Sequence, residues 1–261
     1  MYKYILYTKQ DSVATITFNS PETRNAFVIP MREELVQALD DAEKDKEVRV
    51  VILTGAGDKA FVSGANMKEF LTMTPDDMMQ RAYTLGSLGM FKKVEDFEKP
   101  IIAAINGFCL GAGSELTMCC DLRIAAESAK FGQPEANLGI IPGCGGTQRL
   151  VRLVGMTKAK ELCFIGEPID AKEAERLGLV NKVVPLAQLM ETAMAMAKKI
   201  AAKSPLTIKI LKRSMNLSWQ SPLDVGLAYE SLAMASTLCT QDVQEGINSF
   251  FEKRPATFKG K

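Results

Sequence analysis

The segment KPIIAAINGFCLGAGSELTMCCDLRIA, residues 99–125, contains the unit from which we predict the rest of the fold. It opens on a largely apolar run at 99–107, typical of a buried strand, and continues into the small-residue turn FCLGAGSE at 108–115. A helix is expected to start at LGAG, and another strand follows in DLRIAAE at 121–127. Because strands alternate with helices in this way, we expect a layered α/β fold.

The same alternation continues in both directions along the chain. Further strands are predicted at 2–9, 13–18, 47–55, 129–132 and 179–184, and helices at 30–45, 63–71, 73–97, 146–155, 157–166 and 170–178. After Pro185 the pattern becomes purely helical, with four helices predicted at 186–205, 206–220, 221–239 and 241–254. We therefore divide the chain into a core at 1–188 and a C-terminal helical region at 189–261.

The overall composition is that of an ordinary globular protein. The 261 residues carry a formal net charge of +1, which provides no general field for nucleic acid or for an anionic membrane surface. The N-terminus alternates instead of forming an apolar block, and no window reaches the roughly 18 apolar residues of a membrane span. The six cysteines form no CxxC pair. We expect reduced thiols in a cytoplasmic protein.

Histidine is absent from the sequence, which restricts the chemistry of any active site. A Ser-His-Asp triad, a Cys-His dyad and every histidine-ligated metal site are excluded. Proton transfer near neutral pH then falls to Glu, Asp, Lys, Tyr or Cys with a shifted pKa. Glu115 and Glu135 stand among glycine and apolar residues, although a single such acid also suits a helix cap or an internal ion pair. Cys144 is a weaker alternative, since no histidine can activate it as a nucleophile.

Three glycine-containing turns follow apolar segments: SGAN at 63–66, LGAGSE at 110–115 and IPGCGG at 141–146. None is a phosphate-binding loop, because no Gly-Lys-Ser/Thr follows. Small residues just before a helix let a ligand oxygen approach the unpaired N–H groups of its first turn. Two such N–H groups from separate turns can form an oxyanion hole.

Four segments resemble the crotonase superfamily, and specifically the enoyl-CoA hydratases: 61–70, 99–125, 129–150 (AKFGQPEANLGIIPGCGGTQRL) and 175–184. The resemblance implies a spiral of repeated ββα units with a C-terminal helical region for trimerisation. It also implies a lyase of fatty-acid metabolism that adds water across the C2–C3 bond of a 2-enoyl-CoA. The expected partners are the acyl-CoA substrate and further copies of the chain, in a homotrimer or a homohexamer. CoA belongs to the substrate, and neither a separate cofactor nor a metal is expected.

The resemblance also assigns the site residues. The oxyanion hole would consist of the backbone N–H groups of Ala65 and Ala112. The two hydratase glutamates would be Glu115 and Glu135, and Gly143 would be the glycine beside the reactive water. The positions implied to contact the substrate and its CoA part are Arg24, Ala26, Ser63, Ala65, Asn66, Met67, Lys68, Phe250 and Lys253, the C-terminal pair belonging to a neighbouring subunit. We expect the segment 71–91, with Leu71, Met73, Met78, Met79 and Tyr83, to form the wall of the acyl pocket.

Other functions of the same fold stay open at this point. An enoyl-CoA isomerase needs only one of the two acids, so the presence of both favours hydration. A hydratase of a cyclic dienoyl-CoA would retain both. A catalytically inactive scaffold or an RNA-binding member of the fold predicts the loss of a glutamate or a basic face, and neither is seen. The sequence leaves undecided which glutamate acts as base and which as acid.

Overall fold

A computed structural model describes residues 2–261, which form ten strands and eleven α-helices. The strands are β1 (Ile5–Gln10), β2 (Val13–Phe18), β3 (Val50–Gly55), β4 (Ala60–Val62), β5 (Ile101–Ile105), β6 (Phe108–Leu110), β7 (Leu122–Ala126), β8 (Lys130–Gly132), β9 (Ile169–Asp170) and β10 (Lys182–Val184). The helices are α1 (Ile29–Lys44), α2 (Pro75–Thr84), α3 (Met90–Asp96), α4 (Ala112–Cys119), α5 (Gly146–Val154), α6 (Met156–Ile165), α7 (Ala171–Arg176), α8 (Leu189–Ala201), α9 (Pro205–Leu217), α10 (Leu223–Thr237) and α11 (Gln241–Phe251). Short 3-10 helices cover Pro21–Thr23, Met67–Leu71, Pro134–Leu138 and Leu186–Gln188.

The strands are divided between two sheets. The larger has the order β1-β2-β3-β5-β7-β10 and the smaller the order β4-β6-β8-β9. Strands β3, β5 and β7 run parallel in the first sheet, and β4, β6 and β8 run parallel in the second. The hairpin β1-β2 lies wholly in the larger sheet, whereas each of the pairs β3-β4, β5-β6 and β7-β8 gives one strand to each sheet and is followed by helical segments. Successive pairs stack on one another, which is the repeated ββα spiral that the resemblance implies.

The main core lies between the sheets and the helices α1 and α4. Its centre contains Phe18, packed edge-to-face against Phe27 and Phe61 with ring centroids 5.6 and 5.4 Å away. A second core lies on the other face of the larger sheet, where α8 packs with Leu189, Ala193, Ala197 and Ala201. These four residues recur every fourth position, so they form one apolar stripe of the helix. The region 189–261 thus begins with a helix that shares a core with the sheet.

Helices α9, α10 and α11 bury little of their apolar surface within one protomer. Their exposed large apolar residues are Leu211, Met215, Leu223, Val225, Leu227, Leu232, Met234, Ile247, Phe250 and Phe251. Large exposed apolar patches are typical of protein–protein interaction sites. Among residues 2–261, no helix combines the length and the apolar character needed to cross a bilayer.

The structure differs from the predicted elements in several places. The strands β4 and β6, with three residues each, and β9, with two, were not predicted; β6 lies in what the sequence suggested was a turn. The predicted helix at 73–97 is two helices, separated at 85–89. The segment at 63–71 contains a 3-10 helix, Met67–Leu71, instead of an α-helix.

Candidate active site

A cavity of about 170 Å³ lies at the ends of the parallel strands in the smaller sheet. The loop after β4, the β6–α4 turn, the 3-10 helix Pro134–Leu138 and the loop 140–144 line it, and α2 forms a wall. Ala65, Ala112, Glu115, Glu135 and Gly143 all lie in this lining. The structure therefore brings together the five residues that the sequence suggests for catalysis.

Ala65 and Ala112 each present a backbone N–H without an acceptor. Phe27 pairs with the loop after β4 by donating its N–H to the carbonyl of Gly64 at 2.8 Å. The N–H of the next residue, Ala65, takes no part in this pairing. Ala112 is the first residue of α4, where helix geometry supplies no acceptor. Within residues 2–261, neither N–H has a hydrogen-bond partner. Two free donors, one at a helix N-terminus, thus border the same cavity.

The turn that presents Ala112 requires glycine on both sides. Gly111 has φ +50°, and a Cβ there would lie 2.9 Å from Oε1 of Glu135. A Cβ at Gly113 would lie 2.0 Å from the carbonyl oxygen of Val62 in β4. The absence of both Cβ atoms lets α4 start against β4 and lets the Glu135 carboxyl approach the turn.

Glu115, on the first turn of α4, is 2 % exposed and is held by backbone donors. Its Oε1 accepts hydrogen bonds from the N–H groups of Cys144 at 2.7 Å and Gly146 at 2.8 Å. Burial raises the pKa of the Glu115 carboxyl, while these two N–H groups and the guanidinium groups of Arg149 and Arg32 act in the opposite direction. Both donors bond to the same oxygen, so Oε2 is left for a ligand or water.

Glu135, on the 3-10 helix, lacks this support. Burial raises the pKa of its carboxyl to about 7, and the charge of Glu115 adds to the shift. Gln133, which is 1 % exposed, lies beside it. With its amide nitrogen turned toward the carboxyl, Gln133 donates to both oxygens of Glu135 over 3.2 Å. The sequence analysis missed Gln133, although it stands two residues before Glu135 in FGQPE.

The loop 143–146 is fixed by an arginine outside the cavity. Arg149 forms a bidentate pair with Glu95, both N–O distances being 3.0 Å, and donates to the carbonyl of Cys144 at 3.2 Å. The loop in turn directs the N–H groups of Cys144 and Gly146 at Glu115. Burial raises the pKa of the Cys144 thiol, and Glu115 adds to that shift, so the thiol is poorly suited to be a nucleophile.

Most of the residues implied for CoA lie on two neighbouring loops beside the cavity. The loop 24–27 and the loop 63–68 are joined by a hydrogen bond from the N–H of Ser63 to the carbonyl of Arg24 at 3.3 Å. These loops carry Arg24, Ala26, Ser63, Ala65, Asn66, Met67 and Lys68, and the Arg24 and Lys68 side chains are exposed. Phe250 and Lys253 lie at the end of α11, and no hydrogen bond or ion pair among residues 2–261 joins them to the loops. One protomer thus brings only the first group together.

The expectation for the segment 71–91 is right for two side chains and wrong for three. Met73 and Met78 line the cavity. Leu71, Met79 and Tyr83 are 85, 63 and 66 % exposed and lie outside the lining. For Met79 and Tyr83 the reason is that α2 turns only one face to the cavity, whereas Leu71 ends the 3-10 helix Met67–Leu71.

The sequence analysis also missed Arg32, a cavity-lining residue that is 7 % exposed. Arg32 follows Met31 on α1 and precedes Leu35 and Leu39 by three and seven residues. Since residues with this spacing share a helix face, a charge there was a sign of a buried functional group.

A family model described as "Enoyl-CoA hydratase/isomerase" matches residues 8–261. The chain belongs to this family. The resemblance carried by the four sequence segments is therefore confirmed.

Relatives and solved structures in the enoyl-CoA hydratase/isomerase family match the chain over nearly its whole length. A short-chain-enoyl-CoA hydratase from Clostridium acetobutylicum is 44 % identical over 96 % of this chain and 95 % of that protein. A crotonyl-CoA hydratase from Syntrophomonas wolfei is 42 % identical over 100 % of this chain and 99 % of that protein. The crystal structure of an enoyl-CoA hydratase from Bacillus anthracis superposes with a TM-score of 0.94 at 41 % identity, covering 99 % of this chain and 100 % of that one. This match confirms the crotonase-type α/β fold with its C-terminal helical region.

Proposed function

We propose that the protein is an enoyl-CoA hydratase, which adds water across the C2–C3 double bond of a 2-enoyl-CoA. The observation that carries the proposal is the pair of glutamates facing one cavity with two unpaired backbone N–H groups. The names of the Clostridium acetobutylicum and Syntrophomonas wolfei relatives support the same reaction.

The N–H groups of Ala65 and Ala112 are suited to hold the thioester oxygen. Attack of water on C3 moves negative charge through C2 onto that oxygen, and two donors aimed there stabilise the enolate. The positive end of α4, which begins at Ala112, adds to the stabilisation. Losing one such donor typically costs on the order of 10²–10³ in rate.

The environments of the two glutamates support different roles. Burial raises the pKa of Glu115 as it does that of Glu135, but Glu115 in addition accepts two backbone hydrogen bonds and is stabilised by the charges of Arg149 and Arg32, so we assign it as the ionised base that takes a proton from water. Glu135 has a pKa raised to about 7, which favours the protonated acid that delivers a proton to C2. The oxygen of water bonds to C3, its proton goes to Glu115, and the proton of Glu135 goes to C2. Proton transfer from Glu115 back to Glu135 then restores the starting state.

Two acids favour hydration over double-bond isomerisation. An isomerase removes a proton from one carbon and returns it to another, for which a single carboxyl suffices. Here both carboxyls line the cavity, and Gly143 lies in the same lining, where the absence of a side chain gives space for a water molecule.

We further propose that CoA binds along the loops 24–27 and 63–68, with Phe250 and Lys253 supplied by a neighbouring subunit of a homotrimer or a dimer of trimers. The exposed apolar side chains of α9–α11 support such an assembly. We expect no cofactor apart from the CoA carried by the substrate, and a cytoplasmic location.

The direct test is the conversion of crotonyl-CoA, followed by the loss of the 2-enoyl absorbance. We expect turnover, with 3-hydroxybutyryl-CoA as the product. Inactivity on short, long and cyclic 2-enoyl-CoAs alike would contradict the proposal. Formation of a 3-enoyl-CoA without a hydroxy product would favour the isomerase.

A further inference from the structure

The cavity of the active site contains a guanidinium group, that of Arg32, to which the proposed hydration assigns no contact with the substrate. Arg32, on α1, is 7 % exposed, and its Nε donates to the carbonyl of Phe27 at 3.1 Å. Among residues 2–261, no carboxylate oxygen lies within 4.0 Å of a guanidinium nitrogen of Arg32, and its two Nη atoms form no hydrogen bond. No side-chain nitrogen or oxygen in that range is both fully buried and unpaired. The Nη atoms therefore open into the cavity that Arg32 lines.

The carboxylates of Glu69 and Glu115 attract the charge of Arg32 but form no ion pair with it. Glu69 also lines the cavity, but its Oε1 accepts the N–H of Ile29 at 3.3 Å and its Oε2 pairs with Arg81 at 3.4 Å. Oε1 of Glu115 accepts hydrogen bonds from the N–H groups of Cys144 and Gly146. Besides the two glutamates, the cavity lining thus contains two guanidinium groups and one carboxylate that is already paired.

The guanidinium of Arg32 lies over the Phe27 ring, 5.1 Å from its centroid, but a buried arginine without a carboxylate partner is still costly. Removing a charge from water costs several kcal/mol unless an opposite charge and hydrogen bonds compensate for it. The guanidinium fork matches a carboxylate in a bidentate manner. The other residues implied to hold the charged parts of CoA lie on exposed loops, so the anion that meets Arg32 must come from the acyl group.

We propose that Arg32 selects 2-enoyl-CoA substrates whose acyl chain ends in a second carboxylate. This inference rests on the proposed hydratase function and deepens it. The cavity of about 170 Å³ restricts such a chain to a short one, since an engineered cavity of about 150 Å³ holds a single benzene ring. The methionines 67, 73 and 78 contact the methylene groups, and Arg32 pairs with the terminal carboxylate.

The test compares substrates that differ only at the chain end. We measure kcat/KM for hex-2-enedioyl-CoA and hex-2-enoyl-CoA, and for pent-2-enedioyl-CoA and pent-2-enoyl-CoA. The wild-type protein should prefer the dicarboxylate in at least one pair by about tenfold or more. Arg32→Met, which keeps the length of the side chain and removes its charge, should lower that preference by about tenfold or more. Arg32→Lys should retain part of it.

A matched control and a binding measurement make the outcome unambiguous. Arg176→Met removes an exposed arginine on α7 and should leave the preference unchanged. Titration calorimetry with hexanedioyl-CoA and hexanoyl-CoA, which cannot be hydrated, measures the same discrimination in the absence of turnover. If Arg32→Met does not fold, the preference of the wild-type protein and that of the Arg32→Lys variant still test whether Arg32 selects the dicarboxylic substrates.

Two results would overturn the inference. One is a wild-type protein that hydrates the monocarboxylic substrates and shows no preference for a dicarboxylate. The other is an Arg32→Met variant that loses rate equally on both members of a pair, which would assign Arg32 to the electrostatic support of Glu115. Inactivity on all four substrates would instead contradict the hydratase function itself.

Discussion

The two glutamates differ most in what surrounds their carboxyl groups, and each can be tested separately. Glu115→Gln should remove the base and Glu135→Gln the acid, so kcat on crotonyl-CoA should fall by on the order of 10²–10⁴-fold in each. Binding of butyryl-CoA, measured by calorimetry, should change little, because the oxyanion donors are backbone groups.

The matched control for both variants is Glu167→Gln, an exposed acid that lies outside the cavity lining. It should retain full turnover. Wild-type turnover in Glu135→Gln would contradict a catalytic role for Glu135. A loss of butyryl-CoA binding as large as the loss of kcat would indicate a structural role instead.

The protonated form of Glu135 should set the alkaline limit of activity. Its pKa is raised to about 7, first by burial and then by the charge of Glu115. Since the acid must carry a proton, kcat should fall about tenfold per pH unit above 7. The Glu115→Gln variant removes one cause, so the carboxyl resonance of Glu135, followed by carbon-detected NMR, should titrate at a lower pH than in the wild type. A rate that stays constant up to pH 9 would contradict the assignment.

At the residue scale, the sequence predicted the two candidate catalytic acids better than the residues around them. Glu115 and Glu135 stood out as acids among glycines, and the structure places both in one cavity. Gln133 carries no charge, and its importance depends on the 3.2 Å contact with Glu135, which spacing alone does not reveal. Arg32 was detectable as a charge on the apolar stripe of α1, but only packing shows that no carboxylate pairs with it.

At the scale of elements, the β6–α4 turn is the feature on which the site depends. Gly111→Ala would force an L residue into φ +50° and place a Cβ 2.9 Å from Glu135. We expect a loss of about 1–3 kcal/mol in the free energy of unfolding, together with a fall in kcat, since the turn positions both Ala112 and Glu135. Urea denaturation and the crotonyl-CoA assay measure the two effects.

A glycine without such constraints provides the comparison. Gly226 lies within α10, has ordinary backbone angles, and a Cβ there would come no nearer than 3.7 Å to another atom. Gly226→Ala should therefore raise helix stability, by about 0.5–1 kcal/mol, and leave kcat unchanged. If Gly111→Ala behaved like Gly226→Ala, the close approach at the turn would not matter for function.

The elements that the sequence analysis missed are those with too few residues for a periodic pattern. Strands β4 and β6 have three residues each, and only their pairing in the smaller sheet, β4 with β6 and β6 with β8, defines them. The helix predicted at 73–97 ends early because the chain folds back at 85–89. A Cβ at Gly89 would lie 2.0 Å from the carbonyl oxygen of Thr84, so this fold-back requires a glycine that the polar–apolar alternation conceals.

At the scale of the whole molecule, the folded chain leaves large apolar side chains exposed on its C-terminal helices. Those of α10 include Leu223 and Leu232, at 76 and 73 % exposure. Such surfaces are typical of interaction sites, and we expect a trimer or hexamer in analytical ultracentrifugation. Leu232→Glu should shift the population toward smaller species, whereas Glu230→Gln, on the same helix, should not.

Shared sites can be detected by mixing variants whose defects lie in different parts of the site. We co-express the Glu135→Gln chain with a chain carrying Phe250→Ala and Lys253→Ala, each with its own affinity tag, and purify the mixed oligomers. If the C-terminal residues serve a neighbouring subunit, some sites combine an intact Glu135 with an intact Phe250 and Lys253, and activity returns well above that of either parent. Co-expression of Glu135→Gln with Glu115→Gln is the control, because both glutamates line the cavity of one protomer and no mixed oligomer contains an intact pair. Activity that equals the mean of the two parents would contradict a CoA site shared between subunits.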